Sequence, residues 1–220
     1  MSLRPLFLTA MIGLAPACTA AGLAPGEAGT APPAQAAEAP EPESAQVDLA
    51  GEILEMDRTG DEARAALSYG PADGPEFLEH AARADSVTRA HTTRLGEIIR
   101  EHGWPTEKAV GRDASRAALF MAIRAAHDPT FQDEALRALR AAHASGQADG
   151  ESLAMLTDRI RLSRGEPQLY GTQLILGDFD VTLQPIEDEE NVDARRAELG
   201  MMPLDDYLAL VRAMFEMSDR

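Results

Sequence analysis

The chain has 220 residues, 45% of them hydrophobic, and sets 37 Asp and Glu against 20 Lys and Arg for a formal net charge of −17. That charge is repelled by a phosphate backbone and by an anionic lipid surface, which argues against nucleic acid as a partner and against a folded domain docking on acidic head groups. The one cysteine excludes an intramolecular disulfide, so the fold has to be held by packing.

At the N-terminus, Arg4 precedes an apolar stretch from Leu6 to Leu14 and then small residues, the order of a secretory signal. The stretch is too short for a membrane span, which takes roughly 20 apolar residues. The lone cysteine closes the string Leu14-Ala15-Pro16-Ala17-Cys18, which resembles a bacterial lipobox. The resemblance implies that Cys18 is acylated, becomes the first mature residue and anchors the chain to a membrane. Ala15 stands where the lipobox pattern prefers leucine, and Ala15-Pro16-Ala17 also fits ordinary small-residue cleavage to a soluble secreted product. Residues 1–18 are therefore expected to be a signal peptide. Residues 19–46, mostly Ala, Pro, Gly and Glu with Leu23 as the one large apolar residue, are expected to be a disordered tether.

Residues 47–220 are long enough for one domain with a sizeable core. Ile53, Leu54 and Met56 predict a helix over residues 47–67, interrupted at Gly60. After Pro75 the series Phe77, Ala81, Ala84, Thr88, His91, Leu95, Ile98 and His102 steps by 4 and 3, one face of a long helix that Gly103-Trp104-Pro105 ends. Helices follow over residues 114–126 and 129–144, with His127-Asp128 in the joint between them, and over residues 151–163. The period then falls to two across Gln168 to Leu176 and Phe179 to Leu183, a hairpin about a Gly177-Asp178 turn. Two more helices, residues 192–199 and 205–217, complete a mainly α, multi-helix bundle with one short β-hairpin inserted late.

Four strings stand in order: Gly103-Trp104-Pro105-Thr106; Tyr170-Gly171-Thr172-Gln173; Pro185-Ile186-Glu187-Asp188; and Val192-Asp193 with Arg195-Arg196, followed by Pro203-Leu204 and Tyr207. From about residue 85 to residue 210 their order resembles a bacterial domain-of-unknown-function family of exported, lipoprotein-type proteins. The resemblance implies no reaction. The family pattern carries a polar, His-containing stretch ahead of the His-Asp pair, where this chain has Ile123-Arg124-Ala125-Ala126, and this tells against a two-histidine site.

Trp104, His127, Asp158, Arg159, Tyr170, Gln173 and Glu187 are the candidates for one pocket. Trp104 could stack on a sugar ring or plug the core. His127-Asp128 could be a base with its orienting carboxylate, or a helix end followed by an N-cap. Asp158, Arg159, Thr172, Gln173 and Glu187 offer charges and hydrogen bonds for a cleft; alternatively Gly171 allows close backbone approach while Thr172 and Gln173 satisfy buried backbone groups. No nucleophile motif, phosphate loop, zinc signature or calcium loop is present, and no cofactor or metal is expected. The reading is a lipid-anchored cell-envelope protein with a non-catalytic binding domain whose ligand, protein or glycan, stays open. The alternative is an envelope-acting hydrolase, either metal-dependent around His127, Asp128 and Glu187 or glycan-directed, with Glu166 at a helix end beside the hairpin, similar in outline to lysozyme.

Overall fold

The computed structural model describes residues 43–68, 74–176 and 181–218, the side chains of 43–48, 176 and 215–218 excepted. Cys18, the signal stretch, the tether as far as residue 42 and the Gly177-Asp178 turn lie outside the described residues. Among those described, eight α-helices and one hairpin form, the mainly α architecture with a late hairpin that the periodicity predicts: α1 (Glu43–Ala65), α2 (Pro75–His102), α3 (Glu107–Val110), α4 (Arg112–Arg124), α5 (Pro129–Ala144), α6 (Gly150–Ser163), β1 (Leu174–Leu176), β2 (Val181–Leu183), α7 (Val192–Glu198) and α8 (Leu204–Ser218).

Local chemistry sets the helix ends. Pro75 and Pro129 sit in first turns, where a missing N–H has no intrahelical partner to lose. Asp128 Oδ1 accepts from the Phe131 N–H at 2.9 Å, and Asp149 Oδ1 accepts from the Ser152 N–H at 2.7 Å, so α5 and α6 each start on an acid cap. The core joins α1 to α6 through residues such as Ile53, Leu95, Ile98, Leu139 and Leu156, all fully buried. Helix α4 is central and packs on α1, α2, α3, α5 and α6. Its buried Ala114, Ala117, Ala118 and Ala122 let those neighbours approach closely.

The structure departs from the sequence expectation in four places. Helix α1 runs through Gly60, because a hydrogen where a Cβ would be makes room for Arg64 and His91, whose nitrogens would stand 3.1 and 3.5 Å from that carbon. The same helix takes in residues 43–46, expected to belong to the tether. The four-residue α3, capped by the Thr106 hydroxyl, is too short to leave a period. In the hairpin the pairs are Leu174 with Leu183, Ile175 with Thr182 and Leu176 with Val181, a register other than the one a two-residue Gly177-Asp178 turn would set, which pairs Leu176 with Phe179. Residues 169–173 are not strand either, because Asp158 and the Gln168 side chain take up backbone N–H groups there, while Gln168 itself makes a single parallel bridge to Ile186.

Candidate functional site

Asp158 lies on α6 with no solvent exposure. Its carboxyl accepts from the backbone N–H of Leu169 (2.7 Å), Tyr170 (3.1 Å) and Thr172 (3.0 Å) and from the Thr172 hydroxyl (2.8 Å). Burial pushes its pKa up, against the pull of those four donated bonds. Gly171, inside this turn at φ +72°, has no room for a side chain: a Cβ would meet Leu204 Cδ1 at 2.7 Å and Ile186 Cδ1 at 3.0 Å. Gln173 donates its backbone N–H to Gln168 Oε1 and its amide to the Thr172 hydroxyl. Gln168, itself fully buried, returns Nε2 to the carbonyls of Gln173 and Gln184. Asp158, Tyr170 and Gln173 therefore meet in one knot whose polar groups face each other.

Arginines tie the rest of this region to the knot. Arg196 donates Nη1 to the Tyr170 carbonyl and Nε to the Met202 carbonyl, both at 2.6 Å. Arg195 donates to the carbonyls of Leu169, Glu187 and Asp188, and Asp193 Oδ1 accepts from the Leu204 N–H. The exposed Glu187 side chain pairs with Arg161, which also faces Glu166 at 3.3 Å.

The other candidates lie apart. Trp104 is buried in the large apolar core that α1 to α6 share. His127 is half-buried in the joint before α5, near enough to Asp85 to act on its charge, and Asp128 is the N-cap. Arg159 is half-buried on α6, one residue from Asp158. Among the described residues no three His, Cys, Asp or Glu stand together as a metal site.

A cleft of about 290 Å³ opens elsewhere, at the start of α6. Asp149, Gly150 and Glu151 form one wall, the chain leaving α7 from Leu199 to Met202 another, and Tyr207 and Leu210 of α8 a third, with Arg196 among the lining residues. Gly150 sets the approach of α6 to α7, since a Cβ there would stand 2.1 Å from the Leu199 carbonyl oxygen. The Arg196 guanidinium is 1% exposed and lies 5.1 Å from the centre of the Tyr207 ring. Burial pulls the Arg196 pKa down, and Tyr207, Asp193, Glu151 and Asp158 oppose this through space. Glu151 reaches solvent, yet the surrounding protein and then Asp149 push its carboxyl pKa up, with Arg196 opposing. Tyr207 is pushed up by burial and by Glu151. A fixed cation, a carboxyl with a raised pKa and apolar Leu199, Met201, Met202 and Leu210 can hold a small ligand by charge and contact.

A family model described as a family of unknown function, DUF6624, matches residues 47–218. The chain belongs to the DUF6624 family. No curated protein and no solved structure matches it. Of the seven pocket candidates in this DUF6624 domain, Asp158, Tyr170 and Gln173 meet in the knot, together with Gln168, which the sequence did not single out, and none of the seven lines the cleft. Arg196 and Tyr207 were within the strings singled out, so a signal for two cleft residues existed. Glu151 gave none, since an acid in a first helical turn is ordinary for the helix dipole.

Proposed function

We propose that the chain is an exported cell-envelope protein, held to a membrane by a lipid on Cys18, whose DUF6624 domain binds a small ligand without transforming it. The observation that carries the binding part is the cleft between α6, α7 and α8, where a buried guanidinium, an exposed carboxyl and an apolar wall converge. The lipobox-like string ending at Cys18 supports the anchor, and the Ala/Pro/Glu stretch after it supports a spacer between lipid and domain. A second reading, an envelope-acting hydrolase, draws on the raised pKa of Glu151 in that cleft. Binding is preferred because the neighbouring acid, Asp149, is committed to capping α6 through Ser152, so Glu151 has no second carboxyl for paired acid and base work. Glu166, the acid suggested by sequence, faces Arg161 beyond the opposite end of α6.

Two measurements test this. Acyl labelling in the native host is expected to mark the wild type and to vanish in Cys18→Ser, with the protein leaving the membrane fraction; an unlabelled wild type would overturn the anchor. Purified full-length chain incubated with an envelope small-molecule extract is expected to retain a compound that mass spectrometry recovers unchanged. Met202→Trp, which fills the cleft from a side chain already 45% exposed, is expected to abolish retention. Recovery of the compound in converted form would favour the hydrolase.

A further inference from the structure

Three properties of the cleft restrict the chemistry of its ligand. The Arg196 guanidinium is almost wholly buried, and it is fixed by two carbonyls with no carboxylate hydrogen-bonded to it. Taking a charge out of water costs several kcal/mol unless a partner compensates it, so a carboxylate arriving beside the third guanidinium nitrogen, Nη2, meets a cation already stripped of water. The α6 wall of the same cleft carries Glu151 and, next to it, Asp149, acids that repel a second negative charge and attract an ammonium. The remaining wall is the apolar Leu199, Met201, Met202 and Leu210.

Common alternatives conflict with one of these walls. A phosphate carries its charge against Asp149 and Glu151 and against a chain of net charge −17. A simple cation meets the buried Arg196. A long glycan exceeds a cleft of about 290 Å³. A zwitterion with no net charge is neither driven off by the overall field nor mismatched locally.

We propose that this cleft binds a zwitterion of the amino-acid class, its carboxylate on Arg196, its ammonium on Glu151 and its apolar side chain on Met201, Met202 and Leu210. This rests on the binding-cleft reading and narrows it. The Tyr207 ring, stacked on the guanidinium, holds the cation in place and shields it from water. Only a ligand with both charges engages both walls.

The test is a thermal-shift screen of the full-length chain against free L- and D-amino acids, followed by calorimetric titration of the best binder, its N-acetyl derivative and its amide. An apolar amino acid is expected to bind, and blocking either end is expected to weaken binding at least about tenfold, the scale of one lost charge-assisted contact. Glu151→Gln is expected to weaken the free amino acid by a similar factor, leave the N-acetyl derivative unchanged and leave the melting temperature in place, since the side chain is exposed. Arg196→Lys is expected to weaken the amino acid and its N-acetyl derivative alike. Absence of binding by every amino acid in the screen, or equal binding of the free and blocked forms, overturns the proposal. Where the extract then yields another compound that Met202→Trp excludes, the binding-cleft reading stands and only the ligand class falls.

Discussion

Asp158 is a carboxyl whose four donors all come from one turn, residues 169–172, and this makes it an organiser of backbone rather than a reagent. Asp158→Ala leaves those donors buried without an acceptor, and an orphaned buried donor costs on the order of 1–3 kcal/mol. The expected loss in chemical denaturation is about 3 kcal/mol, less than the sum because the turn can shift toward water. His91 titrates in the opposite sense to a salt-bridged histidine. It lies half-buried against Thr59 and Arg64, with Asp57 opposing, and burial followed by the Arg64 charge lowers its pKa. The folded state therefore holds this proton less readily than the unfolded chain, whose histidine titrates near 6.5. Its stabilising contribution is full above that value and is lost as pH falls toward the depressed one. Melting measured from about pH 7 down to about pH 5.5 is expected to show this decline, and His91→Gln to flatten it.

At the scale of elements, two glycines in helices show how little sequence says about the environment of a residue without a side chain. Gly51, in α1, has nothing within 4 Å of where a Cβ would go, whereas at Gly150, in α6, that carbon would stand 2.1 Å from the Leu199 carbonyl oxygen. Alanine favours a helix interior by about 1 kcal/mol over glycine, so Gly51→Ala is expected to stabilise by about 0.5–1 kcal/mol. At Gly150 the same gain is outweighed by forcing α7 away from α6. A net loss of about 2 kcal/mol or more is expected, together with loss of ligand retention by the cleft. Thermal melts of the two variants side by side decide it, and a stabilised Gly150→Ala would refute the close approach. The helices themselves were legible because their apolar residues repeat with period 3.6 and because Pro75, Gly103, Asp128 and Pro129 mark ends. The hairpin register was not. It depends on Gln168 and Asp158 drawing residues 169–173 out of the strand, a contact across elements that no local pattern records. The cleft was illegible for the same reason, since Glu151, Arg196 and Tyr207 come from three helices and the close approach of the first two at Gly150 is a contact across elements.

The whole molecule is held in two different ways. From α1 to α6 the helices share one large apolar core, while the hairpin, α7 and α8 enclose a small cluster of Val192, Leu204 and Leu208 with partly buried Leu174, Leu183, Ile186 and Tyr207 around it. Burying a large apolar side chain contributes roughly 1.5–3 kcal/mol, so these three together with buried Val181 and Val211 offset only part of the ordering entropy of a segment that long. The polar knot has to supply the rest: Asp158 on α6 joins the helical core to the 169–172 turn, and Arg196 on α7 binds that turn at Tyr170 and the chain at Met202. Such bonds form or break together, because releasing the turn frees both the Tyr170 carbonyl that Arg196 binds and the donors of Asp158. The hairpin, the turn, α7 and α8 are thus expected to open as one unit below the global unfolding free energy. Native-state hydrogen exchange should show the amides of Leu169, Tyr170 and Thr172 exchanging through the same opening as α7, ahead of the α4 amides. Equal protection of α4 and the turn would refute this division. The cleft lies at the seam between the two regions, so ligand that binds only the closed form slows exchange in the turn, α7 and α8 in proportion to its saturation and leaves the sub-global opening of the other helices unchanged.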